Sequence, residues 1–65
     1  MIYYQIWDGD GDAVENTTSL KKAERIFDQM AKRHSRVVLD KWEGQKEQGE
    51  WEGDYVDTIK VVGES

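Results

Sequence analysis

The chain has 65 residues, no cysteine and no proline, and 14 acidic against 9 basic residues give it a formal charge of −5. At this length roughly 60% of the unfolded surface can be buried, which excludes two domains, and the lack of cysteine excludes disulfides and thiolate metal sites as supports for a thin core. No stretch approaches the roughly 18 apolar residues of a membrane span, and Met1-Ile2-Tyr3-Tyr4 carries neither a basic n-region nor a cleavage site, so the expected location is the cytosol.

Ile2, Tyr4 and Ile6 alternate with Tyr3, Gln5 and Trp7, a period of two that predicts a first strand. Asp8-Gly9-Asp10-Gly11-Asp12 ends it with residues suited to a turn. Ala13 to Thr17 is a candidate for a short returning strand. Ser19 is a good N-cap, and Leu20, Ala23, Phe27, Met30 and Ala31 recur at helical spacing with Ile26 beside them, predicting a helix from Leu20 to His34. Lys21 and Lys22 fall in its first turn, where the helix dipole disfavours cations, so helix stability does not explain them.

Val37 and Leu39 alternate with Val38, Asp40 and Trp42 in a second strand over residues 36–43, and Tyr55 to Val62 reads as a third. Between them Glu47-Gln48-Gly49 suits a type I turn closed by a G1 bulge, extending both strands as a twisted hairpin to Lys46 and Glu50. The expected fold is α+β in one domain: β-α-β-β, one helix on a three-stranded antiparallel sheet in the order 1-3-2, with a short extra strand at 13–17 as an option. The third strand takes the centre because Val56, Ile59, Val61 and Val62 make it the most apolar, and the helix connection sets the first two strands in the same direction. Ile2, Tyr4, Ile6, Val37, Leu39, Ile59 and Val61 are expected to face the helix, and Tyr3, Trp7, Val38 and Trp42 to face solvent or a partner.

Charge is unevenly placed. Six bases against Glu24 and Asp28 give Ser19 to Arg36 a net +4, whereas three bases against twelve acids leave −9 on the remainder. Asp8, Asp10 and Asp12 imitate the start of an EF-hand loop, but Ala13 and Ser19 stand where its glycine and bidentate glutamate belong, so no metal is expected. Glu43, Glu47, Glu50, Glu52, Asp54 and Asp57 run along the hairpin, and alternate strand residues lie about 6.6 Å apart on one face. That spacing is of the order expected between neighbouring phosphates of one DNA strand; the competing explanation is a charged ribbon that only resists edge pairing.

His34 is the one histidine, at the expected helix C-terminus where capping suffices to explain it, and no second histidine or phosphate-cradling loop accompanies it. No catalytic residue, enzyme activity or cofactor is expected. Tyr3, Trp7, Trp42, Trp51 and Tyr55 sit among acids and not among the lysines and arginines of single-strand binders, so Trp42 and Trp51 suit either a protein interface or the cover of a thin core. A nucleic-acid binder using the +4 helix is disfavoured because the −9 remainder repels the same phosphates.

A tiny, cysteine-free, acidic β-α-β-β chain with Asp8-Gly9-Asp10-Gly11-Asp12 and the echo Trp42-Glu43-Gly44 and Trp51-Glu52-Gly53 resembles phage-encoded anti-CRISPR proteins, among them the DNA-mimicking type I-C inhibitors. The resemblance covers the whole chain through size, charge and layout. It implies a non-catalytic monomer in the infected bacterial cytoplasm that occupies the DNA-binding channel of a Cascade complex, near its protospacer-adjacent-motif reader. The expected contacts are Asp8, Asp10, Asp12, Glu43, Glu47, Glu50, Glu52, Asp54, Asp57, Trp42 and Trp51. The basic helix departs from an all-round acidic mimic. The competing class is a small phage regulatory protein that binds a host protein through an aromatic sheet face without imitating DNA.

Overall fold

A computed structural model describes residues 1–9, 11 and 13–63. The described residues form β1 (Ile2–Asp8), β2 (Val14–Thr17), α1 (Leu20–Ala31), β3 (Val37–Glu47) and β4 (Glu50–Val62), with the strands in one antiparallel sheet ordered β2-β1-β3-β4. The α+β class, the single helix and the hairpin hold. The strand order 1-3-2 does not: the last strand is an edge, and β3 pairs with both β1 and β4.

The short strand at 14–17 causes the difference. It reverses the chain beside β1 before the helix begins, so α1 returns β3 antiparallel to β1 and not in the same direction. The centre goes to β3 because Val37, Val38, Leu39 and Asp40 are buried consecutively, the signature of a strand covered on both faces, whereas Val56, Ile59, Val61 and Val62 of β4 are each at least 40% exposed.

Ser19 caps α1 with extended backbone, its hydroxyl accepting from the Lys22 N–H at 3.2 Å. The helix stops at Ala31, short of the expected His34. The N–H groups of Arg33 and His34 both donate to the Met30 carbonyl at 2.9 Å, so the chain turns off the helix axis. Ala23, Phe27 and Met30 meet Ile6, Val37 and Leu39 in the core, with Tyr4 and Ile26 packed against it. Two other face assignments change. Val61 pairs with Val38 on the face away from the helix, and Ile59 lies at a register shift on the edge strand, so neither joins the core.

The hairpin turn is tighter than expected. Gln48 and Gly49 have φ of 53° and 84° between the paired Glu47 and Glu50, a two-residue loop of type I′ form. Farther down the ribbon Gly44 opposes Gly53, and a Cβ on Gly44 would stand 1.9 Å from the Glu52 carbonyl oxygen. Only glycine permits this approach, and it is where the ribbon folds over. Lys46, the partner of Trp51, lies four residues beyond Trp42 on β3, about 13 Å along a straight strand. Yet Trp51 stacks on Tyr3, the partner of Trp42, with ring centroids 4.6 Å apart.

Candidate functional site

Pairing register assigns the hairpin two unlike faces. Glu43, Gln45 and Glu47 of β3 oppose Asp54, Glu52 and Glu50 of β4, and all six are exposed on the face that continues from the helix side. The result is two facing rows with five carboxylates. None of the five has a cation within 4.0 Å among the described residues. Residues two apart along each row are separated by about 6.6 Å, and directly opposed pairs by about 4.5–5.5 Å between Cβ atoms. Glu43 with Asp54 and Glu47 with Glu50 are therefore like charges held face to face, an arrangement that weakens a hairpin. Asp57 extends the same face toward the helix, opposite Lys41.

The other face supplies the stabilisation. Trp51 and Trp42 stack on Tyr3 at 4.6 and 6.2 Å, Tyr55 meets Trp42 edge-on at 5.9 Å, and the Lys46 ammonium lies 6.0 Å from the Trp51 ring centre. Tyr3 and Val38, expected to face solvent or a partner, are instead buried, Tyr3 beneath this cluster. Its phenol is raised above the ordinary 10.0, first by burial and then by the nearby Asp54 carboxylate. Trp42 and Trp51 are half-buried members of this stack and so cover a small second core.

The other expected contacts separate. Asp8 is 2% exposed, its carboxylate 3.3 Å from His34 Nδ1, so it belongs to the inside of the domain and not to a partner-facing acidic knuckle. The alternation that turns Ile2, Tyr4 and Ile6 inward continues to Asp8, a signal already present in the sequence. Asp10 and Asp12 lie outside the described residues. Asp40, which sequence reasoning left without a role, is 6% exposed and accepts hydrogen bonds from Trp7 Nε1 at 2.8 Å and Thr58 Oγ1 at 2.9 Å. The Tyr55 hydroxyl stands 2.7 Å from Thr58 Oγ1, whose own proton is directed to Asp40, so Tyr55 is the donor. This chain of bonds ties β1, β3 and β4 together.

Among the described residues no group of three or more histidine or acidic side chains is placed to hold a metal ion, and no helix is long and apolar enough to cross a membrane. No protein-family model matches the chain, and no curated protein or solved structure matches it. Function therefore rests on the chemistry of the surface. Exposed Lys21, Lys22, Arg25, Lys32 and Arg33 collect on and just beyond α1, whereas the distal part of the hairpin face, from Glu43 to Asp54, carries five carboxylates and no base.

Proposed function

We propose that this chain is a non-catalytic inhibitor that imitates the charge of DNA, its hairpin carboxylates occupying a basic groove that otherwise holds phosphates. The partner proposed is a type I Cascade complex, at the groove that reads the protospacer-adjacent motif, with the inhibitor acting in the cytoplasm of the infected cell. The observation that carries the reading is the pair of facing carboxylate rows without counter-ions on the ribbon. Solubility does not require like charges to be opposed across a ladder, where they cost stability. A cluster of lysine and arginine would relieve that repulsion on binding, and the same field would speed encounter.

The test replaces Glu50, Glu52 and Asp54 together by Gln, Gln and Asn, which preserves shape while removing three charges. The variant should fold at least as stably as the parent at low salt, because the Glu47–Glu50 and Glu43–Asp54 repulsions disappear. It should block target-DNA binding by purified Cascade less well, mainly through slower association, and added salt should erase the parent's advantage. Equal inhibition by parent and variant at low and physiological ionic strength would overturn the proposal. A regulatory protein docking a host protein through its aromatic sheet face would show that equality, since an aromatic contact is little screened by salt.

A further inference from the structure

The outer surface of α1 gathers cations without neutralising them. At about 100° per residue Lys21, Lys22, Arg25 and Gln29 share a sector of about 100°, opposite buried Ala23, Phe27 and Met30. Lys32, the C-cap with helical backbone, continues the sector, and Arg33 follows just past the helix end. These six residues are exposed, and Glu24 and Asp28 border the sector on one side without entering it. None of the five cations lies within 4.0 Å of a carboxylate among the described residues. Helix stability does not account for the arrangement. Lys21 and Lys22 oppose the dipole in the first turn, and Lys21 with Arg25 is a like-charge i,i+4 pair, so both features weaken the helix.

We propose that this sector is a second contact surface, one that takes the phosphodiester backbone of duplex DNA. Two observations choose the occupant. Lys21 to Arg33 span about 18 Å along the axis, roughly the rise of five nucleotides of one duplex strand, so five cations meet about five phosphates. The sector also offers no aliphatic or aromatic side chain. A protein partner needs such an anchor at the centre of its contact and a membrane needs one to insert, whereas phosphates ask only for cations and neutral donors such as the Gln29 amide.

The charge of −9 outside Ser19 to Arg36 is what disfavours this binding from sequence alone. The fold moves that charge away. Glu43 lies four residues beyond Leu39, which packs beneath α1, and so stands about 13 Å along the strand, with Glu47, Glu50 and Glu52 farther still. Past Gly44 the ribbon folds toward Tyr3, on the face away from the helix. Salt screens charges over about 8 Å at physiological ionic strength, so most of the carboxylate rows lie beyond the range at which they repel a strand held on α1. Asp57, which is nearer, is set opposite Lys41.

Fluorescence anisotropy of a labelled duplex of about 20 base pairs tests the proposal, with the chain raised to about 1 mM in about 20 mM salt. Binding should be weak and steeply salt-dependent. Replacing Lys21, Arg25 and Lys32 together by Gln, at exposed positions where Gln is as good a helix former, should lower affinity at least about tenfold. The slope of log affinity against log salt should flatten by about 2.7, at about 0.9 for each phosphate released. The hairpin variant with Glu50, Glu52 and Asp54 replaced by Gln, Gln and Asn should bind the duplex no less tightly than the parent, since it only removes repulsion. Four results overturn the proposal. They are a parent that does not bind throughout the range, a helix variant that keeps its circular dichroism and binds equally, polyglutamate bound as tightly as the duplex, or anionic vesicles bound as tightly. The third would make the sector a site for an acidic protein and the fourth a site for a membrane surface. The acidic-mimic reading stands or falls separately, because its test removes hairpin charges and leaves the helix intact.

Discussion

Replacing Gly44 by alanine should unfold the ribbon while sparing the helix-facing core. The new Cβ would stand 1.9 Å from the Glu52 carbonyl oxygen and 2.5 Å from the Gly53 Cα, whereas ordinary contact begins at 3.4 Å. The strands would have to part locally by about 1.5 Å, more than a ladder hydrogen bond near 2.9 Å can absorb. Trp51 would then leave Tyr3, forfeiting about 0.5–1.5 kcal/mol of ring stacking, together with part of the about 1.5–3 kcal/mol associated with a fully buried aromatic side chain. The expected loss is about 2–4 kcal/mol, a large share of the about 3–10 kcal/mol available to a chain this short. Urea denaturation measures the loss, and near-UV circular dichroism reports the aromatic cluster. Gly49→Ala provides the contrast: φ is +84° but nothing lies within 4 Å of a Cβ, so only the left-handed cost of about 1–2 kcal/mol is due and the aromatic signal should survive. If Gly44→Ala stays within about 0.5 kcal/mol of the parent with its near-UV spectrum unchanged, the account of the folded-over ribbon is wrong.

Phe27→Ala should cost about 3–5 kcal/mol, because the ring is buried against Ile6, Val37 and Leu39, while Lys21→Ala on the exposed side should stay within about 0.5 kcal/mol in the same denaturation assay. Equal losses would mean that the helix is turned. Stability should also fall as pH rises above 10.0. The unfolded chain releases the Tyr3 proton near that value while the folded chain holds it to higher pH, so the unfolded state binds fewer protons and gains on the folded one. Tyr3→Phe should flatten this part of the pH–stability curve relative to the parent, and Asp54→Asn should alter it less, since burial is the larger cause.

The elements were legible locally. Alternation in Ile2 to Trp7, the Ser19 cap followed by apolar residues at helical spacing, and the turn formers Glu47-Gln48-Gly49 each act over a few residues, so β1, α1 and the place of the hairpin turn were legible, although the turn has the two-residue form and not the expected type I turn with a G1 bulge. The carboxylate row was legible for the same reason, because strand alternation alone puts Glu50, Glu52 and Asp54 on one side. Its partner row, and with it the opposition of Glu43 to Asp54 and Glu47 to Glu50, needed the register of the folded hairpin.

The distribution of charge along the chain determined an acidic body and a basic helix, and local pattern determined where the strands and helix begin. Tertiary structure alone decided which strand is central, since four residues at Val14–Thr17 reverse the chain and thereby the direction of every later element. It also decided the fate of the singular residues: Asp8 turned inward toward His34, Asp40 became the acceptor joining three strands, and Trp51 folded back onto Tyr3. The physical reason is common to all of them. Propensity and periodicity act between neighbours in sequence, whereas burial, pairing register and the close approach at Gly44 and Gly53 depend on residues brought together only when the sheet closes.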